Sequence, residues 1–292
     1  MRVKSLLAEG RLDEALQFVE ESVRKDPIDY RLRTQLFALC CFAGNFERAL
    51  LQLTILAQED KEAHEGVAVY RGLIRASAQR ERVMRGEEAG QCLFAEPTYL
   101  SEQQQVIRLA AAGQDSEAKQ LAALVTAKRG KSLMQCEAGT GFVGDADDRI
   151  APFAEVFVQD RYVWVPWEQV RSLRVPSPIH LRDLLWTPVV MECGMGPLRA
   201  FMPVLYPGSA QSADPLVRLG RVTVWQDNES GLSVAKGARL LSLSPDAEGI
   251  EPGCEVELLA VGMLTQVVSG PVVPDATEGA LTEPVMLLGE SV

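Results

Sequence analysis

A 34-residue repeat near the start of the chain is the sequence feature that most restricts its fold. Gly10 and Gly44 lie 34 residues apart, and each opens the same pattern, GRLDEAL in the first copy and GNFERAL in the second. In both copies an alanine follows the glycine by five positions, as Ala15 and Ala49. A small residue at a fixed place in a repeat allows two helices to approach closely, so this period predicts stacked pairs of helices.

The repeat continues along the first half of the chain in a weaker form. Gly113 is again followed five positions later by an alanine, Ala118, and it lies 69 residues after Gly44, which is about two periods. This period is typical of tetratricopeptide repeats, whose units are helical hairpins. Apolar residues recur at helical spacing throughout this half. The predicted helices cover residues 12–25, 30–43, 46–58, 63–84, 101–112 and 116–127.

One of these predicted helices carries a stripe of arginines. With about 100° of rotation per residue, Arg71, Arg75, Arg82 and Arg85 lie within roughly 80° of one another, while Arg80 points away. Stacked helix pairs leave a concave groove, which is typical of binding proteins. The stripe is therefore a solvated face, a face that docks onto the acidic second half, or one side of a groove for an acidic or amphipathic partner helix.

After residue 128 the helical periodicity ends. The following sequence is punctuated by proline and contains short runs rich in β-branched and aromatic residues. These runs are PFAEVFV, YVWVP, VRSLRV, TPVVMEC, AFMPVLYP and RVTVWQ. They predict a small, twisted, mostly antiparallel sheet or partial barrel with a few helical turns.

The whole chain is thus predicted to be an α+β protein of two domains, because 292 residues is long for a single core. Residues 1–132 should form a tetratricopeptide-like α/α superhelix, which folds by itself provided that the two halves share no core. Residues 133–245 should form a small, mostly antiparallel β-rich domain. Residues 246–292 should form an acidic tail that either adds strands or is partly disordered.

Residues 160–188 contain three of the four tryptophans and four of the sixteen prolines. Aromatic and β-branched residues at 162–165 predict a strand that stops at Pro166, which has no backbone N–H. The LRDLLW segment predicts a helical turn that ends before Pro188. We expect the tryptophans to form one buried cluster and the adjacent arginine and aspartate to pair or cap locally. These motif residues are Trp164, Pro166, Trp167, Arg182, Asp183, Trp186 and Pro188.

The net charge of −11 is confined to the second half of the chain. Residues 1–135 carry 19 basic and 19 acidic side chains, whereas residues 136–292 carry 10 basic and 21 acidic side chains. An acidic surface repels a phosphate backbone, so nucleic acid is not an expected partner. The apolar runs fall short of the roughly 20 residues that a membrane span needs, and the first residues lack an export signal. We expect a cytoplasmic protein with no membrane insertion.

Residues that could carry catalysis form no recognisable motif. The two histidines, His64 and His180, lie in separate predicted domains, and His180 is placed to cap a helical turn. The DADDR segment at 145–149 predicts an acidic turn or helix cap, because it lacks the ligand spacing of a calcium loop. Ser209, in the YPGS turn, has no visible base to activate it. We therefore expect no catalytic residue, no cofactor and no metal.

The six cysteines are scattered, and no two have the C-x-x-C spacing. In a protein without an export signal they should be reduced and should pack as small hydrophobic residues. They are Cys40, Cys41, Cys92, Cys136, Cys193 and Cys254.

Several segments together resemble a known family. They occur in order over about residues 10–245, and they are LRTQLFALCCFAGNFERALLQL, YRGLIRASAQRERV, DADDRIAPFAEVFVQDRYVWVPWEQVRSLRV, LRDLLWTPV and YPGS. The combination resembles the ImpE/TagJ family, accessory proteins of bacterial type VI secretion systems. This resemblance implies a cytoplasmic, non-enzymatic protein associated with the contractile sheath. It implies contacts with the N-terminal helix of the small sheath subunit and with the ClpV-type disassembly ATPase.

Three hypotheses for function follow. The first is an adaptor that binds a sheath component through its helical domain, with Arg71, Arg75, Arg82 and Arg85 as the partner-binding residues. The second is a regulatory module with a small-ligand pocket between the domains. The third is a hydrolase that uses one of four carboxylates, Asp145, Asp147, Asp148 or Asp183. The sequence leaves the oligomeric state open.

Overall fold

The structure is a computed structural model, and it describes residues 2–59, 64–194, 196–226, 229–246 and 253–267. Seven helices make up the first half of the described chain. They are α1 (Arg2–Ala8), α2 (Leu12–Lys25), α3 (Tyr30–Phe42), α4 (Phe46–Glu59), α5 (His64–Met84), α6 (Leu100–Ala111) and α7 (Asp115–Lys128). The six predicted helices are confirmed to within one residue at each end. The sequence reasoning missed α1, which has only seven residues and so too few turns for a periodic pattern.

The repeat glycines end one helix and turn the chain into the next. Gly10, Gly44 and Gly113 have φ values of 75°, 70° and 73°, in the left-handed region that glycine adopts without steric cost. The repeat alanines Ala15 and Ala49 are fully buried. This burial confirms that the small residue is needed where two helices meet.

The second half of the described chain is built on a ten-stranded antiparallel sheet. Its strand order is β11-β10-β2-β1-β12-β5-β6-β7-β3-β4, and β8 and β9 form a separate two-stranded ribbon. The strands are β1 (Leu133–Cys136), β2 (Gly139–Asp145), β3 (Phe153–Val158), β4 (Arg161–Pro166), β5 (Val170–Arg174), β6 (Trp186–Cys193), β7 (Gly196–Pro203), β8 (Thr223–Trp225), β9 (Ala235–Gly237), β10 (Leu240–Ser244), β11 (Cys254–Glu257) and β12 (Met263–Gln266). A one-turn helix, α8 (Pro215–Arg218), precedes β8.

All six predicted strand segments are found, as β3 to β8. Part of the predicted tail also adds strands, because β12 lies between β1 and β5 in the sheet and β11 lies at its edge. Residues 268–292 lie outside the described residues. The antiparallel α+β organisation is thus confirmed, while the division into residues 1–132, 133–245 and 246–292 stays a prediction.

The prediction for the LRDLLW segment was wrong in part. A short 3-10 turn covers Leu181–Leu184, but Trp186 already begins strand β6, and Pro188 lies inside that strand. Pro188 is tolerated there because it pairs with Phe201 of β7, whereas the pairing of β6 with β5 begins only at Val190. At the proline, β6 therefore pairs with β7 alone among the described strands. The missing N–H of Pro188 then removes no hydrogen bond between β6 and β5.

Two hydrophobic clusters lie on either side of the sheet strands. The first cluster combines residues of the helices with Phe153, Phe157, Trp164 and Trp186 from the strands. The second cluster consists largely of strand residues from the other face of the sheet, such as Val163 of β4. The helical half and the sheet therefore share the first cluster.

This shared cluster predicts the behaviour of a fragment comprising residues 1–132. Independent folding required that the halves share no core, and in the structure α3 and α5 pack directly on strand residues of the first cluster. We expect the fragment to be helical by far-ultraviolet circular dichroism but to melt without cooperativity, because its apolar face is exposed to water. The full chain is the control. A fragment that melts as one sharp transition would show that the helices complete a core without the sheet.

Candidate functional site

Three arginines of the stripe lie on α5 and the fourth, Arg85, directly follows that helix, while Arg80 points away from the stripe as predicted. Arg80 is buried against the sheet, whereas the four stripe arginines are exposed or half-buried. Each of the four has a side-chain partner: Thr54 for Arg71 (3.0 Å), Asp160 for Arg75 (3.1 Å), Glu88 for Arg82 (2.5 Å) and Glu87 for Arg85 (2.7 Å). The Arg75–Asp160 contact joins α5 to the sheet, because Asp160 lies in the turn between β3 and β4. The role of the stripe in partner binding stays a prediction.

The three motif tryptophans are buried, but they do not form one cluster. Trp164 and Trp186 belong to the first cluster, whereas Trp167 belongs to the second. Side chains alternate between the faces of a strand. Trp164 therefore faces the helices, while Val163 and Val165 face the second cluster. The prediction of a single cluster was wrong because it ignored this alternation.

Trp186 lies in an aromatic junction, which we define as Phe37 of α3, Tyr70 of α5 and Trp186 of β6. The ring of Trp186 stacks on that of Phe37, with centroids 6.4 Å apart, and lies 6.4 Å from that of Tyr70. Its indole Nε1 donates a hydrogen bond to Ser77 of α5 at 3.0 Å. The Arg182 guanidinium lies 5.2 Å over the Tyr70 ring. The aromatic junction thus fixes the start of β6 against two helices.

Asp183 caps the 3-10 turn locally, as predicted. Its Oδ2 accepts hydrogen bonds from the backbone N–H groups of Ile179 (2.9 Å) and His180 (2.8 Å). His180 occupies the N-cap position of that turn, which also agrees with the prediction. This carboxylate therefore has a structural role.

A buried ion network joins the helices to the sheet, and the sequence reasoning did not find it. We define it as Arg80, Asp145, Glu155 and Arg239, which are each less than one-tenth exposed. Arg80 of α5 donates from Nε and Nη2 to the two carboxylate oxygens of Glu155, both at 2.8 Å. Arg239 contacts Glu155 as well and donates to Asp145 at 2.5 Å. One signal was visible in the sequence, since Glu155 is a single carboxylate inside the apolar run PFAEVFV and such a charge needs a buried cation.

Hydroxyl and carbonyl groups complete this buried ion network. Tyr162 donates a hydrogen bond to Glu155, and Tyr206 donates to Asp145 at 2.9 Å. The third guanidinium nitrogen of each arginine also finds an acceptor, because Arg80 donates to the carbonyl of residue 205 and Arg239 to that of residue 203, both at 2.9 Å. A buried ion network of this kind stabilises only when its members are satisfied in this way.

The two carboxylates of the network respond differently to burial. Burial raises the pKa of Asp145 to about 6, against the opposing effect of Arg239. Burial also acts to raise the pKa of Glu155, but the guanidinium groups of Arg239 and Arg80 outweigh it and hold the pKa well below its usual range. Glu155 has two arginine partners and Asp145 has one in the network, which accounts for the difference.

The DADDR segment forms a turn, as predicted, and its carboxylates hold neighbouring elements together. Asp147 pairs with Arg149 at 2.6 Å and accepts from the backbone N–H of residue 235 at 3.0 Å. Asp148 pairs with Lys119 of α7 at 2.9 Å and accepts from the N–H of residue 233 at 2.7 Å. No group of three or more His, Cys, Asp or Glu side chains in the described part of the chain could hold a metal ion. The geometry of the turn supports a structural role.

Ser209 and the cysteines show no sign of activation. The Ser209 hydroxyl is buried, donates to the carbonyl of Tyr206 at 2.6 Å and accepts from the N–H of Gly237 at 2.8 Å. All six cysteines are free, and Cys40, Cys41 and Cys193 are buried. Burial raises the pKa of Cys40 to about 11, which leaves the thiol protonated at neutral pH. Cys254 is exposed, contrary to the prediction that the cysteines are buried.

A cleft lies between α5 and the YPGS turn, where the small-ligand hypothesis would place its pocket. Its volume is about 670 Å³, and its charged lining residues are Glu81, Arg82, Arg85, Arg149 and Lys236. Three of the four cations already pair with carboxylates. The cleft therefore offers little uncompensated charge to an anionic ligand.

A second cavity, which we call the N-terminal groove, is more apolar. It has a volume of about 790 Å³ and lies between α1, α2 and α3 on one side and the 3-10 turn Leu181–Leu184 with Leu219 on the other. Its apolar lining includes Val3, Leu7, Phe18, Leu32, Phe42 and Leu184. The Arg2 guanidinium lies 4.8 Å over the Phe18 ring. In the described residues no helix is both long and apolar enough to cross a lipid bilayer.

Comparison with known proteins agrees with this architecture. A tetratricopeptide repeat model matches residues 6–70, and a family model described as ImpE protein matches residues 140–251. The type VI secretion system accessory component TagJ of Pseudomonas aeruginosa is 34% identical over 244 residues, which are 81% of this chain and 84% of that protein. The crystal structure of protein VPA1032 from Vibrio parahaemolyticus has the same fold, with a TM-score of 0.79, 24% sequence identity, and coverage of 92% of this chain and 98% of that one. The identity with TagJ extends over most of both chains, so this chain belongs to the ImpE/TagJ family.

Proposed function

We propose that this protein is a non-enzymatic accessory component of a bacterial type VI secretion system. The observation that carries this proposal is the 34% identity with the accessory component TagJ over 81% of the chain. The described site residues agree with it, because the carboxylates considered for hydrolysis hold arginines, a lysine and backbone N–H groups. The protein then acts by binding other components.

The proposed partner is a helix of the secretion machinery. It is the N-terminal helix of the small subunit of the contractile sheath, with the ClpV-type disassembly ATPase as a second partner or an alternative. The repeat architecture of α1 to α5 supports this choice, because stacked helical hairpins present a surface on which an amphipathic helix can lie. Both partners are proteins, in keeping with the acidic net charge of −11.

In this proposal the arginine stripe on α5 attracts the acidic side of the partner. Its ion pairs are exposed, since the Arg75 side chain is 63% exposed and that of Arg82 is 42% exposed. Exposed pairs exchange readily with water and contribute little to stability, so their carboxylate partners can be replaced by those of another protein. Such charges mainly accelerate association and fix orientation, while apolar contacts supply most of the affinity.

A pull-down of the tagged full-length chain from a lysate that contains an active type VI system tests the proposal. We expect the small sheath subunit, the ClpV-type ATPase or both to be enriched, and a synthetic peptide of the sheath helix to compete for the small sheath subunit. The same tag without the protein is the control. Enrichment of neither component, together with no binding of the purified sheath subunit, would refute the proposal.

Reversal of two stripe charges tests the role of α5. The double substitution Arg75→Glu with Arg82→Glu should lower the association rate of the sheath-helix peptide by about tenfold at low salt, because long-range attraction becomes repulsion. Rates measured by stopped-flow fluorescence should converge with those of the parent as salt screens the charges. The fold should remain intact, since these ion pairs are exposed.

The matched control for this experiment is Arg161→Glu with Arg171→Glu. Both residues are exposed arginines on strands of the sheet, and their reversal changes the net charge by the same amount. If this control slows binding as much as the α5 variant does, only the net charge matters. If the α5 variant binds like the parent at low salt, the stripe is not the site.

A further inference from the structure

Two of the free cysteines lie close together near the edge of the sheet. Cys136 ends β1, and Cys254 begins the edge strand β11. We propose that they form a redox-responsive thiol pair, which closes to a disulfide when small disulfides such as oxidised glutathione accumulate around the protein. This inference does not depend on the proposed function, because it rests only on the placement of these two side chains.

The hairpin of β1 and β2 brings the two thiols within reach of each other. Cys136 faces Gly139 across this hairpin, and facing residues of an antiparallel pair have Cβ atoms about 4.5–5.5 Å apart. The position that a Cβ atom of residue 139 would occupy lies 3.7 Å from Sγ of Cys254. The two distances together place Sγ of Cys254 within about 9 Å of Cβ of Cys136. Because residue 139 is a glycine, no side chain at that position separates the thiols.

Both thiols also point to the same face of the sheet. Cys136 packs against the second hydrophobic cluster. Cys254 faces Leu243 of β10, which belongs to that cluster, and facing residues project to the same side. The Cys254 thiol lies 3.9 Å from the carbonyl oxygen of Ala138, in the turn of the hairpin that carries Cys136.

The position of β11 allows the remaining approach. A disulfide needs Cβ atoms about 3.5–4.5 Å apart, so the edge strand and the hairpin have to move together. Among the described strands β11 pairs with β10 alone. It can therefore shift towards the hairpin without breaking a second ladder.

Thiol–disulfide exchange forms the bond without an activated thiol. The exposed Cys254, as its thiolate, attacks one sulfur of the small disulfide, whose S–S bond breaks and releases one small thiol. The Cys136 thiolate then attacks the Cys254 sulfur, and the second small thiol leaves. Two protein thiols are oxidised, one small disulfide is reduced, and the two protons lost by the cysteines pass to the leaving thiolates.

Burial protects the other four cysteines from this reaction. It raises the pKa of Cys92 to about 12 and that of Cys193 to about 11. The pKa values of Cys40 and Cys41 are raised by burial as well. A thiol that stays protonated at neutral pH attacks a disulfide slowly, because the thiolate is the nucleophile.

Peptide mapping of the full-length protein tests the proposal. The protein is equilibrated in buffers of reduced and oxidised glutathione, alkylated with N-ethylmaleimide and digested without reduction. Trypsin cleaves after Lys131, Arg149 and Arg239, which places the two cysteines on separate peptides. In oxidising buffer at micromolar protein we expect the Cys136–Cys254 linked peptide in at least about tenfold excess over any other linked pair, because its second step is intramolecular. Dithiothreitol should abolish it.

Three substitutions provide the controls. Cys254→Ser should abolish the linked peptide and leave the circular dichroism spectrum unchanged, because this residue is exposed. Cys136→Ser should stop the reaction at a mixed disulfide between Cys254 and glutathione. Cys92→Ser changes a half-buried cysteine outside the pair and should keep the link. The proposal is overturned if the parent yields only the mixed disulfide, if its disulfides join two chains on a non-reducing gel, or if Cys92→Ser loses the link as well.

Hydrogen exchange tests whether the bond fixes the edge strand. A strand with one neighbour opens locally at low cost, and a disulfide to the hairpin restricts that opening. We expect amide exchange in the peptide that contains β11 to slow by about threefold or more on oxidation of the parent. Oxidised Cys136→Ser should show no such slowing. Equal exchange in the reduced and oxidised parent would overturn the role assigned to the bond.

Discussion

Replacing Arg239 with alanine should lower the free energy of unfolding by about 3–5 kcal/mol, an effect typical of breaking a buried ion pair from one side. The Arg239 side chain is completely buried and contacts Glu155 and Asp145, whose side chains are also completely buried. Its removal leaves two carboxylates with fewer partners in a place that water does not reach. Arg80 still pairs with Glu155, but Asp145 keeps no arginine in the network, and Tyr206 remains as its side-chain hydrogen-bond donor.

Urea denaturation followed by circular dichroism measures this effect. The matched control is Arg82→Ala, which also removes an arginine that pairs with a glutamate, but at a pair about 40% exposed, and it should cost less than about 1 kcal/mol. If Arg239→Ala and Arg82→Ala have equal effects, the buried ion pairs of Arg239 contribute no more to stability than an exposed pair does. Below the raised pKa of Asp145 that carboxyl is neutral and no longer needs a cationic partner. We therefore expect Arg239→Ala to lower the free energy of unfolding by less at such pH values than at neutral pH.

Replacing Trp186 with alanine should destabilise the fold by about 3–5 kcal/mol, as is usual when a buried aromatic side chain is truncated. Trp186 is 4% exposed and contacts helices α3 and α5 through Phe37, Tyr70 and Ser77. The substitution leaves a cavity inside the aromatic junction and removes the partner of the Ser77 hydroxyl. Thermal melting of the full-length protein measures this loss of stability.

Trp225→Ala is the control for this substitution, because Trp225 lies on β8 and is 40% exposed. It should change stability by less than about 1 kcal/mol, as most surface substitutions do. An unchanged melting curve for Trp186→Ala together with loss of partner binding would instead place Trp186 at an interface. Equal effects of the two substitutions would show that the aromatic junction contributes no special stability.

Local features of the sequence predicted the helices and most strands well. The spacing of Gly10, Gly44 and Gly113 placed the turns between helices, because glycine takes up their left-handed backbone conformation at no steric cost. Proline and β-branched residues placed strands such as β4, which ends at Pro166 as predicted. These signals are local, since each depends on a residue and its near neighbours in the chain.

Features that depend on distant pairing could not be predicted in the same way. Glu155 could have been recognised as a buried carboxylate from its place in an apolar run, but nothing in the sequence indicated that Arg80 and Arg239 would be its partners. Strand β12 pairs with β1 and β5, which are far from it along the chain, and its four residues give too little alternation to identify it. The N-terminal groove combines α1 with Leu184 and Leu219 and exists only once the chain is folded.

The separation of the partners in the buried ion network also affects how the protein folds during synthesis. Glu155 and Arg239 are 84 residues apart, and Glu155 and Arg80 are 75 residues apart. At a translation rate of about 5–20 residues per second, Arg239 is made about 4–17 seconds after Glu155. Until then the Glu155 carboxylate lacks its second guanidinium, and β3 would carry an incompletely paired charge if it packed on α5 early. The helices can form on the ribosome, but the pairing of Glu155 with its second arginine has to wait until Arg239 has been synthesised, so we expect the complete ion network between helices and sheet to form late in folding.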